Sequence, residues 1–489
     1  MINKITSHVF RSLLLLLMAA LSSVSGPAFG QATPYYQQHF PPEEFKARWE
    51  KVFDRIGNNT IAIVQGGPKA RGFTLPRQTN EFYYLSGIET PHSYILLDGR
   101  SRKVTLYLPP RDERLERSEG KILSGADAEL VKKLTGADEV MSTQVMTEGW
   151  LRGLLVGTPP PVVYTMFTPS EGSAEQRYEA QSYDSAIALD YWDGRISREA
   201  NFVQLIRTRF PRADVRDLTP ILDELRSVKS PREVSLIRRA SQMAGLGIIE
   251  AIKNSKPGVY EYQLDAVARF VFLAHGARLE GYRSITASGT PNIWNGHYYR
   301  NQDQLKAGDL VLMDFAPDYA YYTSDVARMW PVSGKFSPMQ RELLQFVLEY
   351  RNAVLKRIRP GLASKDIQDE VKVEMEAVLK RTKFSKPIYE QAARKMVETG
   401  GGAFSHPVGM AVHDDGGYRT GVLKPGHVFS VDPQLWVPEE TLYIRYEDVV
   451  VVTEKGVENF THFLPAELNE IEKLVGQGGI LRSLPALPQ

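Results

Sequence analysis

The stretch that decides the fold is Asp309-Leu310-Val311-Leu312-Met313-Asp314-Phe315-Ala316-Pro317-Asp318-Tyr319-Ala320-Tyr321-Tyr322-Thr323-Ser324-Asp325-Val326-Ala327-Arg328. Residues 310–315 form a short apolar run, Pro317-Asp318 is a turn signal, and a second strand-like run continues through Trp330. A hairpin built this way turns Asp314 and Asp325 toward each other, since opposed residues on antiparallel strands lie about 5 Å apart at Cβ. Two carboxylates so placed repel, and burying them is costly unless a cation or a proton joins them.

Working outward, the same order of signals occurs twice. Ser230-Pro231-Arg232-Glu233 is a capping box with proline at the first helical position; its helix runs to Asn254 and stops at Lys256-Pro257-Gly258, and a second helix is predicted over 260–274. Further along, Ser337-Pro338 opens a helix that Arg359-Pro360-Gly361 ends, and another follows over 364–381. The strands repeat as well. Leu305-Lys306-Ala307-Gly308-Asp309-Leu310-Val311-Leu312-Met313-Asp314 matches Leu423-Lys424-Pro425-Gly426-His427-Val428-Phe429-Ser430-Val431-Asp432. Each copy ends a buried run on an aspartate, is followed by a later acid (Asp325, then Glu447) and is preceded by a histidine (His297, then His413).

A duplication of this kind packs as a pseudo-two-fold pair whose matching strand ends meet near the axis. Asp314, Asp325, Asp432 and Glu447 then share one cavity, where four carboxylates cannot all ionise without multivalent cations. Two divalent ions about 3.5–4 Å apart would satisfy them. Carboxylates alone favour Mg²⁺ or Ca²⁺, so an imidazole should complete the set. Phe404-Ser405-His406-Pro407, just after Gly400-Gly401-Gly402, offers His406 on a segment whose backbone can come close to a site.

The bulk properties narrow the chemistry. A chain of 489 residues calls for two or more domains. Lys4, Arg11, the apolar run 13–24 and Ala28-Phe29-Gly30 read as a signal peptide over residues 1–30, with an uncleaved membrane anchor as the alternative, which implies an exported, periplasmic or secreted protein. The formal charge of +1 gives no reason to expect nucleic acid as a partner, and no other run suggests a membrane span. With no cysteine, thiolate nucleophiles and thiolate metal sites are excluded. A carboxylate and imidazole set suits Mn²⁺, Zn²⁺ or Co²⁺.

The N-terminal half reads as an α/β domain over 31–215, ahead of a C-terminal unit over 216–489. Phe45, Trp49, Val52, Phe53 and Ile56 recur at helical spacing, and strands are predicted over 61–64, 94–97 and 104–108. The string Arg77-Gln78-Thr79-Asn80-Glu81-Phe82-Tyr83-Tyr84-Leu85-Ser86-Gly87 reads as a polar loop running into an aromatic core strand. No acids and histidines pair at catalytic spacing here, so this half is expected to serve shape, assembly or substrate gating.

Taken together, these residues resemble the aminopeptidase P and prolidase group of peptidase family M24. The likeness covers nearly all of the chain after residue 30, from 77–87 with Pro91, through Lys229-Ser230-Pro231-Arg232-Glu233, to Ile444-Arg445-Tyr446-Glu447-Asp448. The resemblance implies a creatinase/aminopeptidase P-like N-terminal α/β domain followed by a duplicated "pita-bread" α+β metallopeptidase domain. It implies Asp314, Asp325, His406, Asp432 and Glu447 as ligands of two divalent ions, Mn²⁺ in the family. It implies that His297 and His413 hold the substrate and stabilise the oxyanion, with Arg445 pinning the ligand carboxylates. The implied activity is that of a homo-oligomeric Xaa-Pro aminopeptidase on proline-containing peptides. A prolidase-like dipeptidase, a catalytically impaired metal- or peptide-binding member and, more remotely, a creatinase-like amidinohydrolase are the alternatives. Two residues depart from the pattern. Asp432 stands where the family carries a glutamate that is also its proton acceptor, and Gly402 stands where a histidine is common.

Overall fold

The computed structural model describes residues 35–70, 72–155, 162–174, 176–416, 418 and 421–485, so the export segment expected at 1–30 lies outside the described residues. Helix Pro42–Ile56 forms where the periodicity places it, with proline and two glutamates in its first turn and Gly57 at its end. Its buried face, Phe45, Trp49, Val52, Phe53 and Ile56, joins a core with Ala62, Val64, Ile95 and Leu97. Those last four belong to a six-stranded sheet of β1 (Thr60–Gln65), β2 (Tyr94–Asp98), β3 (Lys103–Leu108), β4 (Glu139–Ser142), β5 (Val162–Thr165) and β6 (Asp214–Asp217), in spatial order β4-β3-β2-β1-β5-β6. The hairpin partners β1, β2 and β3 run antiparallel, and β4, β5 and β6 join in parallel.

Two expectations for this half are corrected. Residues 77–87 do not enter a strand: Asn80–Ser86 is a helix, buried at every position and closed by left-handed Gly87. The consecutive apolar residues Phe82 to Leu85 are covered on all sides, so neither helical nor strand periodicity is written in them. The sheet also continues through β6, past residue 216, and helix Thr219–Ser227 packs back against helix Pro42–Ile56.

The C-terminal unit is built twice. Helices Pro231–Asn254 and Glu261–Ala274 are matched by Pro338–Leu355 and Ser364–Arg381, and the first of each pair opens on a serine capping box, Ser230 with Glu233 and Ser337 with Gln340. A further helix, Pro387–Thr399, precedes the glycine run. The first repeat carries β7 (Leu279–Glu280), β8 (Ile285–Ser288), β9 (Leu310–Asp314), β10 (Pro317–Asp318) and β11 (Ala327–Pro331), with β9 at the centre of an antiparallel β11-β9-β8 sheet. The second carries β12 (Val428–Val431), β13 (Gln434–Val437), β14 (Leu442–Arg445), β15 (Asp448–Thr453) and β16 (Gly456–Asn459), with β12 antiparallel to β15. The two sheets are stitched at one point, where Ala327 and Glu447 exchange backbone hydrogen bonds of 3.4 and 3.1 Å. Repeat symmetry therefore places the acid-bearing ends of both sheets side by side.

The simple hairpin expected between the first two acids is modified. Asp314 lies opposite Ala327 in the β9–β11 register, and Asp325 sits two residues before β11. Pro317-Asp318 forms a short strand against β7 rather than the turn. Ala320 and Tyr321, both at positive φ, make the reversal instead.

Between the two units lies a buried charge network. Arg226 reaches Glu171 at 2.7 Å and Asp414 at 2.5 Å, Lys229 pairs with Asp414 at 3.1 Å, and Arg177 pairs with Asp223 at 2.8 Å and Glu81 at 3.3 Å. Burial, with Glu171 nearby, outweighs the pull of the arginines and raises Glu81 to about 7; burial likewise raises Asp223 to about 7. A carboxyl raised on folding keeps its proton where the unfolded chain has lost it, so its contribution to stability falls as pH rises from about 4 to 7. Glu81→Gln should therefore match the wild type near pH 4.5 and exceed it by about 1–3 kcal/mol above pH 7, as read from urea midpoints. A stability gap that does not change with pH would contradict this reading.

Candidate active site

The site forms where the repeats meet. Asp314 ends the fully buried β9, and Asp325 precedes β11. Asp432 follows β12, Arg445 ends β14, and Glu447 lies just before β15 at the seam. All four acids are at most 3 % exposed. Buried runs need apolar side chains on both faces, so an acid at the end of such a strand is carried into the interior only where a partner meets it.

The partners are present. Arg445 gives Nη1 to Asp314 Oδ2 at 2.5 Å, Nε to Asp432 Oδ1 at 2.6 Å and Nη2 to Glu447 Oε2 at 2.6 Å. One planar guanidinium thus holds three carboxylates in fixed relation. The Tyr282 hydroxyl lies 2.6 Å from Asp314 Oδ1 and 2.8 Å from Asp325 Oδ1, and its single proton serves one of them at a time. Ser430 donates to Glu447 Oε1 at 2.5 Å, and the Gln434 amide donates to Asp432 Oδ2. Burial raises Glu447 and Asp325 well above the ordinary carboxylate range, reinforced by neighbouring acids, and raises Asp432 as well. Burial presses Asp314 the same way, but Arg445 and its hydrogen bonds win and hold it below its usual value.

His406 faces this set. Its Nδ1 lies 3.1 Å from the carbonyl of Pro407, which can only accept, so Nδ1 carries the proton. Nε2 is left with a lone pair 3.1 Å from Asp325 Oδ2 and 3.8 Å from Glu447 Oε1. Burial drives His406 down to about 4, so the ring is neutral at pH 7. Oxygens of Asp314, Asp325 and Glu447 lie within 4.8 Å of one another, and so do ligand atoms of Asp325, His406 and His413. Carboxylate oxygens, a neutral imidazole with its other nitrogen tied to a carbonyl, and an excess of buried negative charge form a donor set that fits a divalent cation.

The remaining residues line two adjoining cavities. One of about 500 Å³ is bordered by Asp314, Asp325, Tyr282, His297, His413 and Arg445, and the other, of about 450 Å³, by His406, His413, Asp432, Trp436, Tyr443 and Arg445. The His413 ring meets His406 edge-on, centroids 4.0 Å apart, and burial followed by that neighbour drives His413 down to about 3. Trp436 stacks on Tyr443 at 3.9 Å, giving the second cavity an aromatic wall. Asp314, Asp325, His297, His406, His413, Asp432 and Arg445 therefore line these cavities, and Glu447 is joined to them through Arg445. Six participants were not singled out: Tyr282, Ser430, Gln434, Trp436, Tyr443 and Gln176, whose side chain meets His413 from the N-terminal unit. Tyr282 and Ser430 lie within the repeated segments. Gln176 had no local signal at all.

The departures have structural counterparts. Gly402 adopts φ +81°, and a Cβ there would stand 2.1 Å from the Asp432 carbonyl oxygen. Its own carbonyl accepts from Asp432 N at 3.2 Å. A side chain at this position collides with the backbone that carries Asp432, so glycine here and the placement of Asp432 are one feature. Gly402→Ala is expected to lower stability by about 1–3 kcal/mol through strain alone and to reduce kcat by displacing Asp432. An alanine variant with wild-type melting and turnover would show that the segment yields freely.

Comparison with known proteins gives a consistent picture. Residues 235–454 match the sequence profile of metallopeptidase family M24, and residues 45–157 that of the aminopeptidase P N-terminal domain. The chain is 30% identical to the Xaa-Pro aminopeptidase of Escherichia coli (strain K12) over 459 residues, 88% of this chain and 97% of that protein. It is 31% identical to mouse Xaa-Pro aminopeptidase 3 over 416 residues, 81% of this chain and 76% of the relative. Among solved structures, a glutamate-to-alanine variant of E. coli aminopeptidase P in complex with substrate superposes with TM-score 0.71 at 26% identity, covering 89% of this chain and 98% of that one. A zinc-substituted E. coli aminopeptidase P in complex with product gives TM-score 0.70 at 26% identity, with the same coverage.

Proposed function

Because the chain belongs to metallopeptidase family M24, in its aminopeptidase P group, we propose that this site is the active centre of a Xaa-Pro aminopeptidase. The protein is a divalent-metal hydrolase that releases the first residue from peptides with proline in second position. The observation that carries the reading is the convergence of two trios that share Asp325, Asp314 with Asp325 and Glu447, and Asp325 with His406 and His413, each with ligand atoms within 4.8 Å of one another, beside cavities of about 450 and 500 Å³.

In this reading Asp314, Asp325, His406, Asp432 and Glu447 hold two ions, and manganese is the metal we assign, with zinc and cobalt as alternatives the donor set also accepts. Divalent ions held there would supply Lewis acidity toward a water and a carbonyl oxygen. The chain's own residues do the rest. Arg445 fixes the oxygens of Asp314, Asp432 and Glu447, so the ligand cage is preorganised. Asp432 takes the proton lost by the attacking water and passes it to the departing proline nitrogen. His297 and His413 border the cavity and hold the substrate. The stacked Trp436 and Tyr443 offer an apolar face to the pyrrolidine ring.

Residues 1–30 support an exported location. No helix among the described residues is long and apolar enough to cross a membrane. Exposed Tyr178, Tyr183, Tyr191 and Trp192 support self-association into a homo-oligomer.

The test pairs elemental analysis of protein purified without chelator with an assay supplemented with Mn²⁺. A Xaa-Pro-Pro tripeptide should lose its first residue, activity should vanish with chelator, and Mn²⁺ should restore it. Cleavage of a Xaa-Pro dipeptide with the tripeptide untouched would favour a prolidase-like dipeptidase.

A further inference from the structure

We propose that Gln176, carried by the N-terminal unit, is a positioning residue of this active site: its amide holds the His413 imidazole and sets whether the ring nitrogen left to the catalytic cavity carries a proton. The proposal rests on the functional reading above. It goes beyond it by making the N-terminal unit part of the catalytic machinery.

Three contacts tie one short segment of the N-terminal unit to the loop that bears His413. Val412 N donates to the Ala174 carbonyl at 2.8 Å, His413 Nδ1 lies 2.9 Å from Gln176 Oε1, and Arg177 Nε meets Asp415 Oδ2 at 3.3 Å. The segment is itself anchored. Arg177 is buried and also pairs with Asp223 at 2.8 Å, Glu81 at 3.3 Å and Glu171 at 3.4 Å. On the loop side, Asp414 is held by Arg226 and Lys229. Gln176 thus projects from a fixed backbone onto a fixed loop. Its amide is hydrogen-bonded to the imidazole, which also meets the ring of His406 edge-on.

The chemistry follows from the tautomer. A neutral imidazole carries one proton on one of two nitrogens, and the partner of one nitrogen decides the state of the other. With the Gln176 oxygen facing Nδ1, the proton sits on Nδ1 and Nε2 presents a lone pair. In this tautomer His413 receives a proton or an N–H from the substrate; donation to a carbonyl oxygen would require the Gln176 amide turned over. The partner that orients a working imidazole is worth on the order of 10- to 100-fold in activity.

Four proteins test this in the metal-loaded enzyme: wild type, Gln176→Met, His413→Ala and the double variant, with Gln176→Glu as the conservative control. Gln176→Met is expected to lower kcat on a Xaa-Pro-Pro tripeptide by about 10- to 100-fold, with KM changed less than about threefold. Gln176→Glu keeps an acceptor oxygen on Nδ1 and should retain most of the turnover. In the His413→Ala background the methionine change should cost nothing further, because a residue that acts through His413 has nothing left to position. Multiplicative losses in the double variant, or a loss confined to KM, would overturn the proposal.

An independent readout needs no turnover. The ¹⁵N shifts of the His413 ring, identified by their loss in His413→Ala, should report Nδ1–H in wild type and a changed tautomer in Gln176→Met. Unchanged shifts would overturn the proposal even if the peptidase reading holds. A wild type that fails to cleave the tripeptide would sink the functional reading and leave the tautomer measurement standing.

Discussion

Arg445→Met is expected to lower the stability of the chelated protein by about 3–5 kcal/mol and that of the ion-loaded protein by distinctly less. Arg445 lies against Asp314, Asp432 and Glu447 at 2.5–2.6 Å, with each of those acids at most 2 % exposed. Removing one partner of a buried ion pair leaves the other charge without water or counter-ion, which costs far more than the pair itself contributes. Methionine fills similar volume without charge, so the loss reports electrostatics rather than a cavity. Divalent ions bound by the same carboxylates supply positive charge in place of the guanidinium, and binding to the folded state alone stabilises it by mass action. The melting temperature of Arg445→Met should therefore rise more on adding Mn²⁺ than that of the wild type. Equal destabilisation with and without ions would mean that Arg445 acts through packing alone.

The second large effect concerns the proton. Asp432→Asn is expected to reduce kcat by about 10²- to 10⁴-fold while the protein keeps most of its metal, the range general acid–base catalysis contributes. Arg445 and Gln434 now donate to the two carboxylate oxygens; the nearly isosteric amide keeps its oxygen for Arg445, and its NH2 meets Gln434 once that side-chain amide turns to present its oxygen. The asparagine cannot take up a proton. Asp432→Glu restores the proton acceptor and adds a methylene of reach, so its kcat should equal or exceed that of the wild type, by up to about 100-fold where a misplacement near 1 Å has been limiting. Full activity in Asp432→Asn would remove the acid from the mechanism. A loss of metal in step with activity would make it a ligand and nothing more.

How much of this was legible in the chain depends on distance along it. The Ser230 capping box, the Ser337-Pro338 helix start, the glycine and proline stops and the helices they bound are written within a few residues each, and they formed where they were read. The acids ending buried runs were legible for the same reason, since a charged residue in an apolar window marks itself. The helix Asn80–Ser86 was not, because burial on all sides erases periodicity.

What the sequence by itself determined is the duplication, and with it the meeting of Asp314, Asp325, Asp432 and Glu447, because symmetry carries matching positions to one axis. Only the tertiary structure decided how they are held. Arg445 spans 131 residues of chain to reach Asp314, and Gln176 spans 237 to reach His413. Contacts of that kind arise from chain closure, and no spacing within a window encodes them. The same holds for Gly402, whose necessity is set by a carbonyl oxygen 30 positions later that packs where a side chain would stand.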